Sequence, residues 1–277
     1  MEIKTKGLTK HVFSGEYHSS FKGRGMTFSE VREYQIGDEV RTIDWNVTAR
    51  FNDPYIKVFE EERELTVMLM IDLSGSTDYG TKEKTKKELA VELAAVLAFS
   101  AESNNDKVGA IFITNEVEKY IPPAKGKKHI LYILRELIEF QPKNKETNLK
   151  EGMRFFRNVT KKRSIAFVIS DYVMDDEFIE GFKISKRKHD LVALRLQDPA
   201  ERILPDLGVV QLFNAESGTK TWVNSSSKSV KEKFAKNYEN FNEEVNQLFK
   251  RNGVDYAVNE TSDDYIPLLM QLFQKRK

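Results

Sequence analysis

The sequence predicts an α/β fold built on a doubly wound, mostly parallel sheet, and three observations predict it. Apolar runs of strand length recur as TVMLMID (66–72), KVGAIFIT (107–114), SIAFVIS (164–170) and LVALRL (191–196). The runs are continuous rather than alternating, as expected of parallel strands covered on both faces. Helical segments of crossover length lie between them, so each strand can return parallel to the one before it.

The first sixty or so residues lack long helical periodicity and are rich in charge, aromatics and turn residues such as Gly37-Asp38. Residues 55–59 alternate Tyr55, Lys57 and Phe59 with Ile56 and Val58, which predicts a strand. After the strand at 66–71, KEKTKKELAVELAAVLAFSAESNND sets Leu89, Leu93, Val96, Leu97 and Phe99 on a helical stripe, and its alanines predict burial on several sides. A second helical face carries Ile130, Leu134, Leu137 and Ile138, and 148–159 predicts a third, shorter helix. Val209–Phe213 and 220–223 flank NAESG as a hairpin. A long polar-faced helix over Lys228–Arg251, a strand at 254–258 and a helix at 265–273 complete the chain. The expected organisation is an N-terminal extension, 1–63, packing on a main domain, 64–277, that carries the β-hairpin as an insertion.

The 277 residues, 40% of them hydrophobic, suffice for a sizeable core. Charged residues make up 31% yet balance to a net charge of +1, so no single-sign field points to nucleic acid or an anionic membrane surface. The absence of cysteine excludes disulfides, thiolate metal sites and a cysteine nucleophile. The start, MEIKTKGLTKHVF, has no apolar core of signal-peptide length, and the longest apolar stretch, 65–73, is too short to span a bilayer. The expectation is a cytoplasmic chain without an integral membrane segment. His11, His18, His129 and His189 show no metal-ligand spacing, and there is neither a nucleotide-binding glycine loop nor a Gly-x-Ser-x-Gly elbow. The basic runs Lys161-Lys162-Arg163 and KISKRKH read as solvated faces.

Two predicted strands run into acids, Asp72 and Asp171, and ligands of such sheets bind at the carboxyl ends of the strands. Ser74 and Ser76 follow Asp72 at alternate positions around Gly75, and Thr147 stands ahead of the third helix. Two acids and three hydroxyls form a set of hard oxygen donors suited to Mg²⁺ or a similar cation. Each residue alone has a plainer reading: the serines and Thr147 as helix N-caps, Asp171 as a capping acid. The combination at strand ends favours the cation.

IDLSGST, ETNLKEG and VISDYV together resemble the metal-ion-dependent adhesion site of von Willebrand factor A-like domains, with Asp72, Ser74, Ser76, Thr147 and Asp171 at the ligand positions. REYQIGDEVRTIDWNVTAR, residues 32–50, is similar to the signature of the bacterial domain-of-unknown-function family numbered fifty-eight, and the likeness extends to SDDYIPLLMQLF near the C-terminus. The resemblance implies a Rossmann-type sheet and a Mg²⁺, Mn²⁺ or Ca²⁺ ion held by those five side chains. It also implies a protein partner that offers the ion an acidic side chain, and association with MoxR-type AAA+ ATPases. Within the upstream signature, Arg32, Arg41 and Arg50 with Asp38 and Asp44 suggest an ion-pair network, and Trp45 an anchor. That region either braces the main domain or docks a partner through Arg41, Asp44, Trp45 and Arg50.

Three functions compete on these grounds. The first is a non-enzymatic, metal-dependent interaction module, an adaptor in complex assembly or chaperone-like remodelling. The second is a Mg²⁺-dependent phosphohydrolase with Asp72 as nucleophile. Haloacid-dehalogenase-type phosphatases place a second Asp two residues further on, where this chain has Ser74. The third is a metal-free structural adaptor.

Overall fold

A computed structural model describes residues 15–17, 20, 26–51, 53–61, 65–80, 84–173, 178–213 and 219–276. His11, His18 and the NAESG turn (214–218) lie outside the described residues. The described part of Phe21–Leu65 forms one unit, and those of Met1–Ser20 and Thr66–Lys277 together form the other.

In the smaller unit, β1 (Met26–Glu33) pairs antiparallel with β2 (Tyr55–Glu61), with a bulge between Phe28 and Glu30. Between them come a 3₁₀ turn at Val40–Thr42 and α1 (Trp45–Phe51). Asp44 starts α1 by accepting the backbone N–H groups of Asn46 and Val47, at 3.0 and 3.4 Å. The alternation at 55–59 predicts β2. Nothing in the local pattern predicts β1 or α1, because seven to eight polar-rich residues show no clear period.

The larger unit is a six-stranded sheet in the order β10-β7-β6-β3-β4-β5. Its elements run β3 (Thr66–Asp72), α2 (Lys86–Ser103), β4 (Lys107–Ile113), β5 (Val117–Ala124), α3 (Lys127–Glu139) and α4 (Leu149–Val159). They continue with β6 (Ile165–Ser170), α5 (Phe178–Lys186), β7 (Asp190–Gln197), the antiparallel pair β8 (Val209–Phe213) and β9 (Lys220–Asn224), α6 (Lys228–Arg251), β10 (Asp255–Glu260) and α7 (Tyr265–Gln274). All pairings among β3, β4, β6, β7 and β10 are parallel; β5 alone is antiparallel, on β4. The α/β class with a mostly parallel sheet is therefore as the apolar runs predict.

The sequence pattern does not announce β5. Pro122 and Pro123 cannot donate to a ladder, and they are tolerated because β5 is the sheet's edge. Its close approach to β4 needs a glycine: a Cβ at Gly109 would sit 2.9 Å from the Ile121 carbonyl oxygen. The short helix α5 was equally hidden, since Gly181 and a lysine-rich end blur its period.

Alternation along each strand divides the core. Met68, Met70, Ala166, Val168 and Ala193 face a layer containing Met153 and Phe156 of α4, Phe182 of α5 and Phe249 of α6. Phe167 points the other way and meets Phe273 of α7 with ring centroids 6.4 Å apart, so helices cover both faces. The strand order reverses at β3: β4 lies on one side and β6 on the other. A doubly wound sheet opens its ligand crevice at that switch point, outside the carboxyl ends of β3 and β6.

Candidate metal centre

Asp72 ends β3, and Asp171 directly follows β6, so adjacent strands deliver both acids to the switch point. The Ser74–Ser76 turn comes off β3, and backbone bonds lock it to neighbouring loops. Leu73 donates to Ile113 O at 2.9 Å and Gly75 to Lys145 O at 2.8 Å. The second of these bonds ties the serine turn to the Thr147 loop. That loop is itself anchored where Asn148 N–H donates to Thr114 O at 2.8 Å. The Glu118 carboxylate accepts Lys143 and Asn144 N–H at 3.0–3.2 Å, and the Thr114 hydroxyl at 2.7 Å. Burial opposes charge on Glu118, but these donors hold its pKa below the ordinary value.

The caps of the two neighbouring helices are supplied by other residues. Ser74 precedes a 3₁₀ turn, Gly75–Asp78, without capping it through its side chain. Its hydroxyl instead lies 3.1 Å from that of Ser76. Helix α2 begins at Thr85, whose hydroxyl accepts Glu88 N–H while the Glu88 carboxylate accepts Thr85 N–H. Helix α4 is capped by Asn148, which accepts Glu151 N–H at 3.1 Å. Thr147 is left to reach Asp72, with its Oγ1 3.3 and 3.4 Å from the two carboxylate oxygens. Asp171 is partly engaged locally, accepting Val173 N–H at 3.2 Å, and Ser76 also bonds to it.

The five expected side chains thus converge, but the two acids have different company. Asp72 is fully buried and receives only neutral donors: Ser74 N–H at 3.0 Å, Ser170 Oγ at 2.6 Å and the Thr147 hydroxyl. Burial, then the nearby Asp171 charge, push its pKa up to about 6. Asp171 is equally buried, yet the Lys86 ammonium lies 2.8 Å from its Oδ2. That ammonium overcomes burial and holds Asp171 below its ordinary value. Lys86 also reaches Glu201 Oε1 at 2.5 Å, and the two carboxylates raise its pKa although burial works to lower it.

Tyr172, next to Asp171, has φ of 60°, a left-handed conformation that costs a non-glycine residue about 1–3 kcal/mol. The strain is held by packing. The ring lies 5.4 Å from Phe178 and 5.0 Å from Phe249, its hydroxyl donates to Val168 O, and its N–H donates to Ser170 Oγ. Ser170 therefore bridges the strained turn and Asp72.

Beside the acids lies a cavity of about 520 Å³. Ser76, Lys86, Asp171 and Glu201 line its polar side, and Ile203 and Leu207 are among its apolar residues. Three contributors escaped the sequence analysis: Lys86, Ser170 and Glu201. A signal existed for Lys86, which shares the period of Ala90, Leu93 and Leu97 on the buried face of α2. No local signal marks Glu201, which sits on a 3₁₀ turn, Pro199–Arg202, after β7.

In the smaller unit Arg32 pairs bidentately with Asp38 at 2.8 Å, and Asp44 pairs with Lys57 at 3.3 Å. Among the described residues Arg41 and Arg50 make no ion pair, and Trp45 is 67% exposed. No group of three or more His, Asp or Glu residues able to hold a metal occurs among the described residues. No helix among them is long and apolar enough to cross a membrane.

The fold and the site define a class: an α/β protein with a mostly parallel central sheet that gathers oxygen donors at its switch point. The family follows from residues 30–244, which match the one described as "Protein of unknown function DUF58"; the chain belongs to that family. It is 30% identical over 220 residues to the uncharacterised protein Rv1480 of Mycobacterium tuberculosis, spanning 79% of this chain and 69% of that one. The fold is similar to that of BatB, a conserved hypothetical protein from Bacteroides thetaiotaomicron, at TM-score 0.52 and 16% identity over 76% of this chain and 98% of that one. A von Willebrand factor type A protein from Catenulispora acidiphila overlaps at TM-score 0.43 and 12% identity, over 80% of this chain and 43% of that one.

Proposed function

We propose that the chain is a protein-interaction module whose docking point is a divalent cation, with no chemistry of its own. One observation carries this reading. Five oxygen-bearing side chains from three loops meet at the switch point, and one of them, Asp72, is a buried carboxylate with no cationic partner among its bonds. Such a carboxylate is costly unless a cation joins it. Asp72, Ser74, Ser76, Thr147 and Asp171 would hold the ion, and their hard oxygens suit Mg²⁺, with Mn²⁺ or Ca²⁺ as substitutes. The ion would supply an electrophilic point for an acidic side chain of a partner. Under this reading the partner is the MoxR-type AAA+ ATPase that the sequence resemblance implies, and the chain acts as its adaptor.

The phosphohydrolase reading has less support. A carboxylate nucleophile needs an oxygen able to reach phosphorus, whereas both oxygens of Asp72 accept hydrogen bonds in a fully buried position. The metal-free adaptor has one observation in its favour, the Lys86 ammonium already resting on Asp171.

Thermal unfolding with and without Mg²⁺ separates the two. At a hundredfold excess over Kd the ion stabilises the native state by about 2.7 kcal/mol, and Asp72→Ala abolishes the gain. A pull-down in Mg²⁺ and in EDTA tests the docking role. Recovery of the same partners in both, from wild type and from Asp72→Ala alike, would refute it.

A further inference from the structure

Lys86 is out of place by its charge. It stands in the first turn of α2, where the helix dipole disfavours a cation, and only 1% of its side chain is exposed. Lysine is almost never fully buried unless paired. Here it has two partners of different kinds. Asp171 belongs to the proposed cation site. Glu201 does not: it is carried on the Pro199–Arg202 turn, which is pinned from behind by Asp198. Asp198 accepts Ala200 N–H at 2.9 Å and the Thr261 hydroxyl at 2.7 Å. The ammonium lies 2.8 Å from the first acid and 2.5 Å from the second, so it is shared between the site and the neighbouring turn.

We propose that Lys86 is the resident cation of this site, competing with a divalent ion for Asp171 and retained by Glu201 when that ion binds. The inference rests on the metal reading above and adds what governs it. Asp72, Asp171 and Glu201 with Lys86 carry a formal charge of −2, and a divalent ion brings the cluster to neutrality. The ion must do so beside an ammonium that repels it and already occupies Asp171 Oδ2. Glu201 makes the exchange tolerable, because the displaced ammonium keeps a buried partner. Metal binding thereby pulls Lys86 toward the Pro199–Arg202 turn, which lines the same cavity as Ile203 and Leu207.

The test is a Mn²⁺-binding isotherm, followed by electron paramagnetic resonance of free Mn²⁺, on the full chain and two variants. Circular dichroism with and without Mn²⁺ verifies folding. Lys86→Met removes the competitor, and its affinity is expected to rise by roughly 10- to 100-fold. Glu201→Gln keeps the Lys86–Asp171 pair but removes the refuge, and its affinity is expected to fall by roughly tenfold. Tighter binding by Lys86→Met and weaker binding by Glu201→Gln support the proposal. Binding by Lys86→Met alone overturns both the native metal reading and the exchange, because the wild-type ammonium is then never displaced. Equal or weaker binding by folded Lys86→Met overturns the proposal and leaves the metal reading standing, and no binding by any of the three overturns both. If Lys86→Met does not fold, Glu201→Gln decides: affinity equal to or above wild type overturns the proposal.

Discussion

Asp72 and Asp171 occupy equivalent places, at the carboxyl ends of neighbouring parallel strands, and both are buried. Their electrostatics are opposite. Asp171 has an ammonium within hydrogen-bond reach and stays ionised. Asp72 has only hydroxyl and amide donors and is pushed up to about 6. The pair shows that burial does not by itself decide what a carboxylate does; the nearest cation does. It also locates the unsatisfied half of the site, on the β3 side.

Breaking each half separately should expose the difference. Asp171→Ala leaves the Lys86 ammonium buried with one partner fewer, and is expected to cost about 3–5 kcal/mol in urea unfolding in EDTA. Ser170→Ala removes the shortest donor to Asp72 and a support of the strained Tyr172 turn, for a loss of about 1–2 kcal/mol in the same assay. Asp72→Asn keeps the shape and removes the uncompensated charge, so it is expected to stabilise the protein by about 1 kcal/mol in EDTA at neutral pH. If Asp72→Asn proved as damaging as Asp171→Ala, the two carboxylates would be equivalent and the comparison would fail.

The mildest effect concerns a buried polar ring outside the site. His189 packs 4.6 Å from the Phe156 ring, and neither of its nitrogens has a hydrogen-bond partner among the described residues. Burial, with Lys188 and Arg157 adding to it, pushes its pKa from 6.5 down to about 4. The folded state then binds fewer protons than the unfolded chain between those values. His189's contribution is complete above pH 6.5 and is lost as pH falls toward 4, at about 1 kcal/mol between pH 6 and pH 5. His189→Phe should flatten that part of the pH–stability curve. An unchanged slope would assign the acid sensitivity elsewhere.

Much of this was legible in the sequence for a local reason. Continuous apolar runs mark strands buried on both faces, and four such runs mark most of the parallel sheet. The acids at 72 and 171 are visible because each ends such a run, and the Ser-Gly-Ser turn because it adjoins one. What local pattern missed was short or compensated by position. The prolines of β5 argue against a strand until the strand is known to be an edge, and α1 and α5 span only seven and nine residues.

By itself the sequence determined the parallel strands, the two strand-end acids and the three hydroxyls, because periodicity of 2 or 3.6 residues records which faces are buried. Only the tertiary structure decided how those acids are charged. Lys86 stands in the first turn of α2, and Glu201 follows a strand two places across the sheet from β3. Nothing local relates the two. Their meeting beside Asp171 depends on how α2 packs on the sheet and where β7 ends, and electrostatics follows distance in space rather than in sequence.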